Sequence, residues 1–76
     1  MTTVNQLFQF HKLNPDGIKK AEEIAATFNR LLWDLEHMCP TSTREFSITR
    51  TKLEEACFYA KKSMAMDPAN QLKGGE

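Results

Sequence analysis

Few side chains in this sequence are spaced for covalent or metal chemistry. His37 and Cys39 are separated by a single residue, and His11 and Cys57 lie far from them in the chain. Structural zinc sites repeat short ligand spacings such as Cys-x-x-Cys. None occurs here, so no metal centre is expected. Ser42 and Ser63 lack the elbow motif of an activated serine nucleophile. Glu54-Glu55, with Glu45 nearby, could suggest acid–base work, but acids on an exposed helix ordinarily pair with lysines three or four residues away. The paired glycines, Gly74-Gly75, sit near the C-terminal end of the sequence, so there is no phosphate-cradling loop. These readings predict a binding protein, not an enzyme, and no cofactor.

The remaining chemistry is basic. Arg44, Arg50, Lys52, Lys61 and Lys62 give residues 43–66 a net charge of +2, against −1 over residues 18–38. So mild a cluster is ordinarily a solvated helix face. It gains an anion-binding role where symmetry brings several copies around one cavity and their fields add.

The elements that must position these residues are marked by clear punctuation: Asn14-Pro15-Asp16-Gly17, Cys39-Pro40-Thr41-Ser42 and Asp67-Pro68. Asn14 suits a helix N-cap and Pro15 the first helical position, where a missing N–H costs nothing. Ile18, Ala21, Ala25, Phe28, Leu32, Leu35 and Cys39 follow at steps of three and four, widened by Ile24, Leu31 and Met38. This predicts a helix over about 15–38, ended by Pro40. Ser42-Thr43-Arg44-Glu45 reads as a capping box with Ser42 as the cap. Phe46, Leu53, Ala56, Cys57, Ala60, Ser63 and Met64 then predict a second helix over about 43–66, its apolar stripe weakened for one turn by Thr49. The expected fold is all-α: one domain over 1–76, an antiparallel two-helix hairpin with a short N-terminal helix or arm, and a mobile tail over 67–76.

Length bounds what this hairpin can do alone. The chain has 76 residues, and a domain that small buries too little surface to be comfortably stable. Trp33, Ile48, Phe58 and Tyr59 fall wholly or partly off the apolar stripes, and Trp is costly to leave in water. The expectation is a homo-oligomer with these four at the interface.

Composition removes other classes. No apolar run is long enough to span a bilayer, and the first residues lack the basic-then-apolar pattern of a secretory signal. A cytoplasmic location with reduced cysteines is expected. Ten basic and ten acidic side chains give zero net charge, which disfavours coating a nucleic acid polymer. A helix-turn-helix reader needs a short recognition helix and a compact turn, whereas here both segments are long and the turn holds Pro40. A helical protein–protein interaction module stays open as the alternative.

The second segment carries a resemblance. Ser42-Thr43-Arg44-Glu45-Phe46, then Thr51-Lys52-Leu53-Glu54-Glu55-Ala56, then Phe58-Tyr59-Ala60-Lys61-Lys62, resembles the small phage α-hairpin family. That family holds the anti-CBASS cyclic-nucleotide sponges and the related Thoeris anti-defence proteins. Phe10-His11-Lys12-Leu13-Asn14 adds weaker support, and the likeness covers about residues 10–64. It implies a non-enzymatic protein of the host bacterial cytoplasm that sequesters cyclic di- or trinucleotide immune signals. It also implies assembly as a homo-oligomer, for several members a hexamer, with pockets between subunits.

Such a ligand calls for Arg or Lys on phosphates, an aromatic plane on each base and polar side chains at base edges. By the resemblance, Phe10 stands at the base-stacking position, usually a tyrosine, with His11 and Lys12 beside it. Thr27 matches a polar pocket position of the first helix, and Arg44, Thr51 and Lys52 come from the second-helix motif. Ala25 and Ala26 stand where some members carry a lysine.

Overall fold

The structure is a computed structural model that describes residues 12–72. The expected N-terminal helix or arm, with Phe10 and His11, lies outside the described residues. Two helices, α1 (Pro15–Glu36) and α2 (Arg44–Ala65), pack side by side, and a single 3-10 turn, Pro68–Asn70, follows. Glu36 meets Arg50 at one end and Asn14 meets Asn70 at the other, so the pair is antiparallel. At 1.5 Å per residue each 22-residue helix is about 33 Å long. The all-α hairpin expected from the sequence is therefore the fold.

Each helix starts for a local reason. The Asn14 side chain accepts a hydrogen bond from the Gly17 N–H at 2.8 Å, Pro15 takes the first helical position, and Asp16 complements the helix dipole. α1 ends at Glu36, with the Cys39 N–H closing onto the Leu35 carbonyl at 2.9 Å ahead of Pro40. The start of α2 corrects the sequence reading by one residue. The cap is Thr43, not Ser42: its Oγ1 accepts from the Phe46 N–H at 3.0 Å and donates to the Pro40 carbonyl at 3.2 Å. Anchoring the hydroxyl to Pro40 shifts the frame, so Glu45 stands in the first turn and the expected capping box does not form.

The seam between the helices is narrow. Phe46, 3% exposed, is the one buried hydrophobic side chain among the described residues. Ala21, Ile24, Ala25, Phe28, Leu32 and Leu35 of α1 face Leu53, Cys57, Ala60 and Met64 of α2 half-buried. Several residues assigned to the stripes lie in the open instead: Ile18, Leu31, Met38 and Cys39 on one side, Ala56 and Ser63 on the other. Two helices alone cover one side of each other, so the edges of a wide apolar stripe stay exposed. Thr49 is tolerated in the stripe because its hydroxyl bonds back to the Glu45 carbonyl at 3.0 Å.

Different devices lock the two ends. At the loop end, Arg50 lies 5.2 Å from the centre of the Phe46 ring and pairs with Glu36 of α1 at 3.4 Å. It thus lids the one buried aromatic and ties the helices together. At the open end, residues 67–72, expected to begin a mobile tail, fold back instead. Asp67 caps the 3-10 turn, and the backbone of residues 70–72 pairs with that of residues 12–14 through Asn14 N–H to Asn70 O (3.0 Å) and Leu72 N–H to Lys12 O (2.9 Å).

Asn70 is 2% exposed and fully used: its Oδ1 accepts from Lys20 Nζ at 2.8 Å and its Nδ2 donates to the Met64 carbonyl at 3.0 Å. Asn14 serves twice, capping α1 through Oδ1 while Nδ2 donates to the Ala69 carbonyl at 2.9 Å. The turn comes so close to α1 that a Cβ at Gly17 would run into the Asn70 carbonyl oxygen. That closeness, more than backbone flexibility, explains a glycine in a helix's first turn.

Two substitutions test this clasp by urea denaturation. Asn14→Asp keeps a good cap but turns the Nδ2 bonds to the Ala69 and Gln71 carbonyls into repulsion between oxygens, and should cost about 1–3 kcal/mol. Gly17→Ala gains helix propensity but must displace the Asn70 backbone, and should also lose about 1–3 kcal/mol. Wild-type stability in both would mean that residues 67–72 do not hold the hairpin.

Candidate functional site

Two open grooves flank the helix seam, and Phe28 lines both. The first, about 320 Å³, lies toward the clasp and has Lys20, Glu23 and Thr27 on α1 with Ala60 and Met64 on α2. Lys20 enters already bonded to Asn70, so the clasp holds one cation at the groove edge. The second groove, about 390 Å³, has an apolar floor that includes Leu32, Leu53 and Cys57. Its rim carries Asn29, Arg50, Glu54, Phe58 and Lys61.

The candidate residues are spread along the hairpin. Lys12 is exposed at the open end, where its carbonyl is held by Leu72. Thr27 is exposed in mid-α1 with its hydroxyl donating to the Glu23 carbonyl at 2.8 Å. Arg44 is exposed in the first turn of α2, at the opposite end from Lys12. A helix length of about 33 Å separates those two ends. Thr51 and Lys52 are exposed on α2, and Lys52 Nζ stands 3.6 Å from Glu55 Oε1 in an ion pair whose side chains are 70% and 58% exposed. The seven candidates thus do not gather into one pocket on one protomer: Lys12 and Arg44 stand at opposite ends, and Phe10 and His11 lie outside the described residues.

The four expected interface residues are all exposed: Trp33 57%, Ile48 40%, Phe58 53% and Tyr59 63%. They are partly organised. Trp33 and His37 lie with ring centres 4.0 Å apart, and His37 Nδ1 donates to the Trp33 carbonyl at 2.7 Å. Phe58 and Tyr59 meet edge to face at 5.2 Å.

Among the described residues, no three His, Cys, Asp or Glu side chains are placed to hold a metal ion. Cys39 is an exposed free thiol and Cys57 a half-buried one. No helix among these residues is long and apolar enough to cross a membrane.

Sequence reasoning missed Lys20, Asn29 and Asn70. Nothing in the spacing of the sequence singles out Lys20 or Asn29, and Asn70 falls within the expected tail. A hint existed in Asp67-Pro68, a cap-and-proline pair that can open a turn as well as end a helix.

Residues 2–65 match the profile of the Acb2/Tad1 hairpin domain. No curated protein and no solved structure matches the chain.

Exposed candidates should be separable from the fold. Thr27→Val and Lys52→Ala should each change unfolding free energy by less than about 0.5 kcal/mol, because neither removes buried contact. Chemical denaturation checks this, and a loss above about 1 kcal/mol would assign the residue a structural duty.

Proposed function

The chain belongs to the Acb2/Tad1 hairpin family of phage anti-defence cyclic-nucleotide sponges, which are non-catalytic binders, and from that premise we propose that it sequesters cyclic di- or trinucleotide immune signals. The family match across residues 2–65 is the observation that carries this reading. Binding is stoichiometric: the signal is held intact, and the effector it would activate stays idle. The setting is the cytoplasm of the infected bacterium.

Assembly is part of the proposal. A cyclic dinucleotide carries two phosphates and two bases, and its cations and stacking planes must converge within one ring diameter. In a single protomer Lys12 and Arg44 stand at opposite ends of the hairpin. A homo-oligomer of 1–76 hairpin domains, a hexamer in the family pattern, brings the end of one copy beside the end of another. The exposed Trp33, Ile48, Phe58 and Tyr59 support the same conclusion, since subunit contact would cover them. In that assembly Arg44 grips a phosphate with its planar guanidinium, and Lys12 and Lys52 add charge. Phe10 stacks on a base, with the N-terminal residues serving as an arm or short helix. His11, Thr27 and Thr51 meet base edges or ribose hydroxyls.

A cation in the first turn of a helix opposes the dipole, so Arg44 is poorly placed for stability alone. Phosphate contact supplies a reason for it.

Thermal shift against a panel of cyclic di- and trinucleotides tests the reading. A ligand that binds the folded state must raise the melting temperature by mass action. Arg44→Ala should fold normally and lose roughly 10- to 100-fold in affinity, the worth of one charge-assisted contact. A flat response across the panel, with Arg44→Ala silent and Trp33→Ala abolishing capture of a protein partner, would replace the sponge by a helical interaction module.

A further inference from the structure

The larger groove holds a charge pattern that matches itself. Glu54 and Lys61 both lie on its rim, seven residues apart on α2 and therefore on the same face. Two helical turns separate them, about 10.5 Å, too far to bond each other. Among the described residues neither takes part in an ion pair: the pairs present are Arg50 with Glu36 and Lys52 with Glu55. Between Glu54 and Lys61 stands Phe58, 53% exposed beside the apolar floor of Leu53 and Cys57.

The geometry points to a second copy of this chain as the occupant of this groove, docked through a two-fold, antiparallel α2–α2 contact. The proposal rests on the self-assembly reading above and adds to it a face and a register. Turning α2 end over end brings Glu54 opposite Lys61 of the partner subunit, and Lys61 opposite Glu54 of the partner subunit. The same register sets position 57 against position 58, so each Phe58 ring enters the opposing floor beside Cys57. Arg50 then faces the small Ala65, and its guanidinium stays with Glu36 and Phe46. A two-fold contact requires a patch complementary to itself. An acid and a base placed evenly about the midpoint between positions 57 and 58 meet that requirement, with Phe58 beside that midpoint as the desolvated anchor.

Charge reversal and mixing test the register by sedimentation velocity, with circular dichroism to show that each variant is still helical. Glu54→Lys and Lys61→Glu each place like charges together at both symmetric positions and should weaken self-association roughly tenfold. Mixed in equal amounts, the two variants have opposite charges across the contact and should associate as wild type does. Phe58→Ala should weaken association in every combination. Single variants that assemble like wild type, or a mixture that stays as dissociated as its parts, would overturn the register while leaving self-assembly standing. A wild-type chain that sediments as a monomer throughout would overturn both. A nucleotide seated in this groove would respond to each reversal, but mixing would not restore its binding.

Discussion

Two antiparallel helices share one seam, and one seam cannot cover the apolar residues that two helices carry. Phe46 is the single buried hydrophobic among the described residues, whereas Trp33, Phe58 and Tyr59 are all more than half exposed. Hydrophobic burial of about 25 cal/mol per Å² is therefore weakly drawn upon inside the protomer. The hairpin compensates at its ends. Asn14, Asn70 and Gly17 fasten the open end with backbone and amide hydrogen bonds, and Arg50 bridges Phe46 and Glu36 at the closed end. These fastenings hold the pair in register but leave its flanks unpartnered.

The same geometry motivates the proposed assembly. The candidate residues Lys12, Thr27 and Arg44 stand at both ends and in the middle of one hairpin, where one ligand cannot reach them all. On that proposal a neighbouring copy would bring such residues together and cover the exposed aromatics. The clasp contributes indirectly, because it fixes Lys12 through its carbonyl and Lys20 through its ammonium near the groove that contains Thr27.

Much of the scaffold was legible in the sequence. Asn14-Pro15 marks the start of α1 correctly, since cap and proline act within a few residues and owe little to tertiary context. The second cap was read one residue early. Ser42 and Thr43 are both competent caps, and the hydrogen bond from Thr43 to the Pro40 carbonyl decides between them. That bond depends on how the loop folds, which side-chain type does not reveal. Residues 67–72 look like a tail in the sequence because the Asn14 and Lys20 contacts that hold them lie fifty or more positions earlier, beyond the reach of any local pattern. Stripe members such as Ile18 and Ala56 are exposed because periodicity identifies an apolar face without fixing how wide a neighbour will cover it. The candidate site residues rest on a family likeness, and the fold of one chain does not bring them together: Lys12 and Arg44 stand at opposite ends. Motif matching reports residue types and says nothing of the distances between them.

On the proposed function, intact cyclic nucleotides are held between copies of this hairpin. Native mass spectrometry of the protein with a cyclic di- or trinucleotide, across a dilution series, tests it most directly. Ligand should ride on assembled species, disappear from the monomer as dilution dissociates the assembly, and be released with its mass unchanged. Ligand carried equally well by the monomer, or recovered as a linear hydrolysed product, would contradict it.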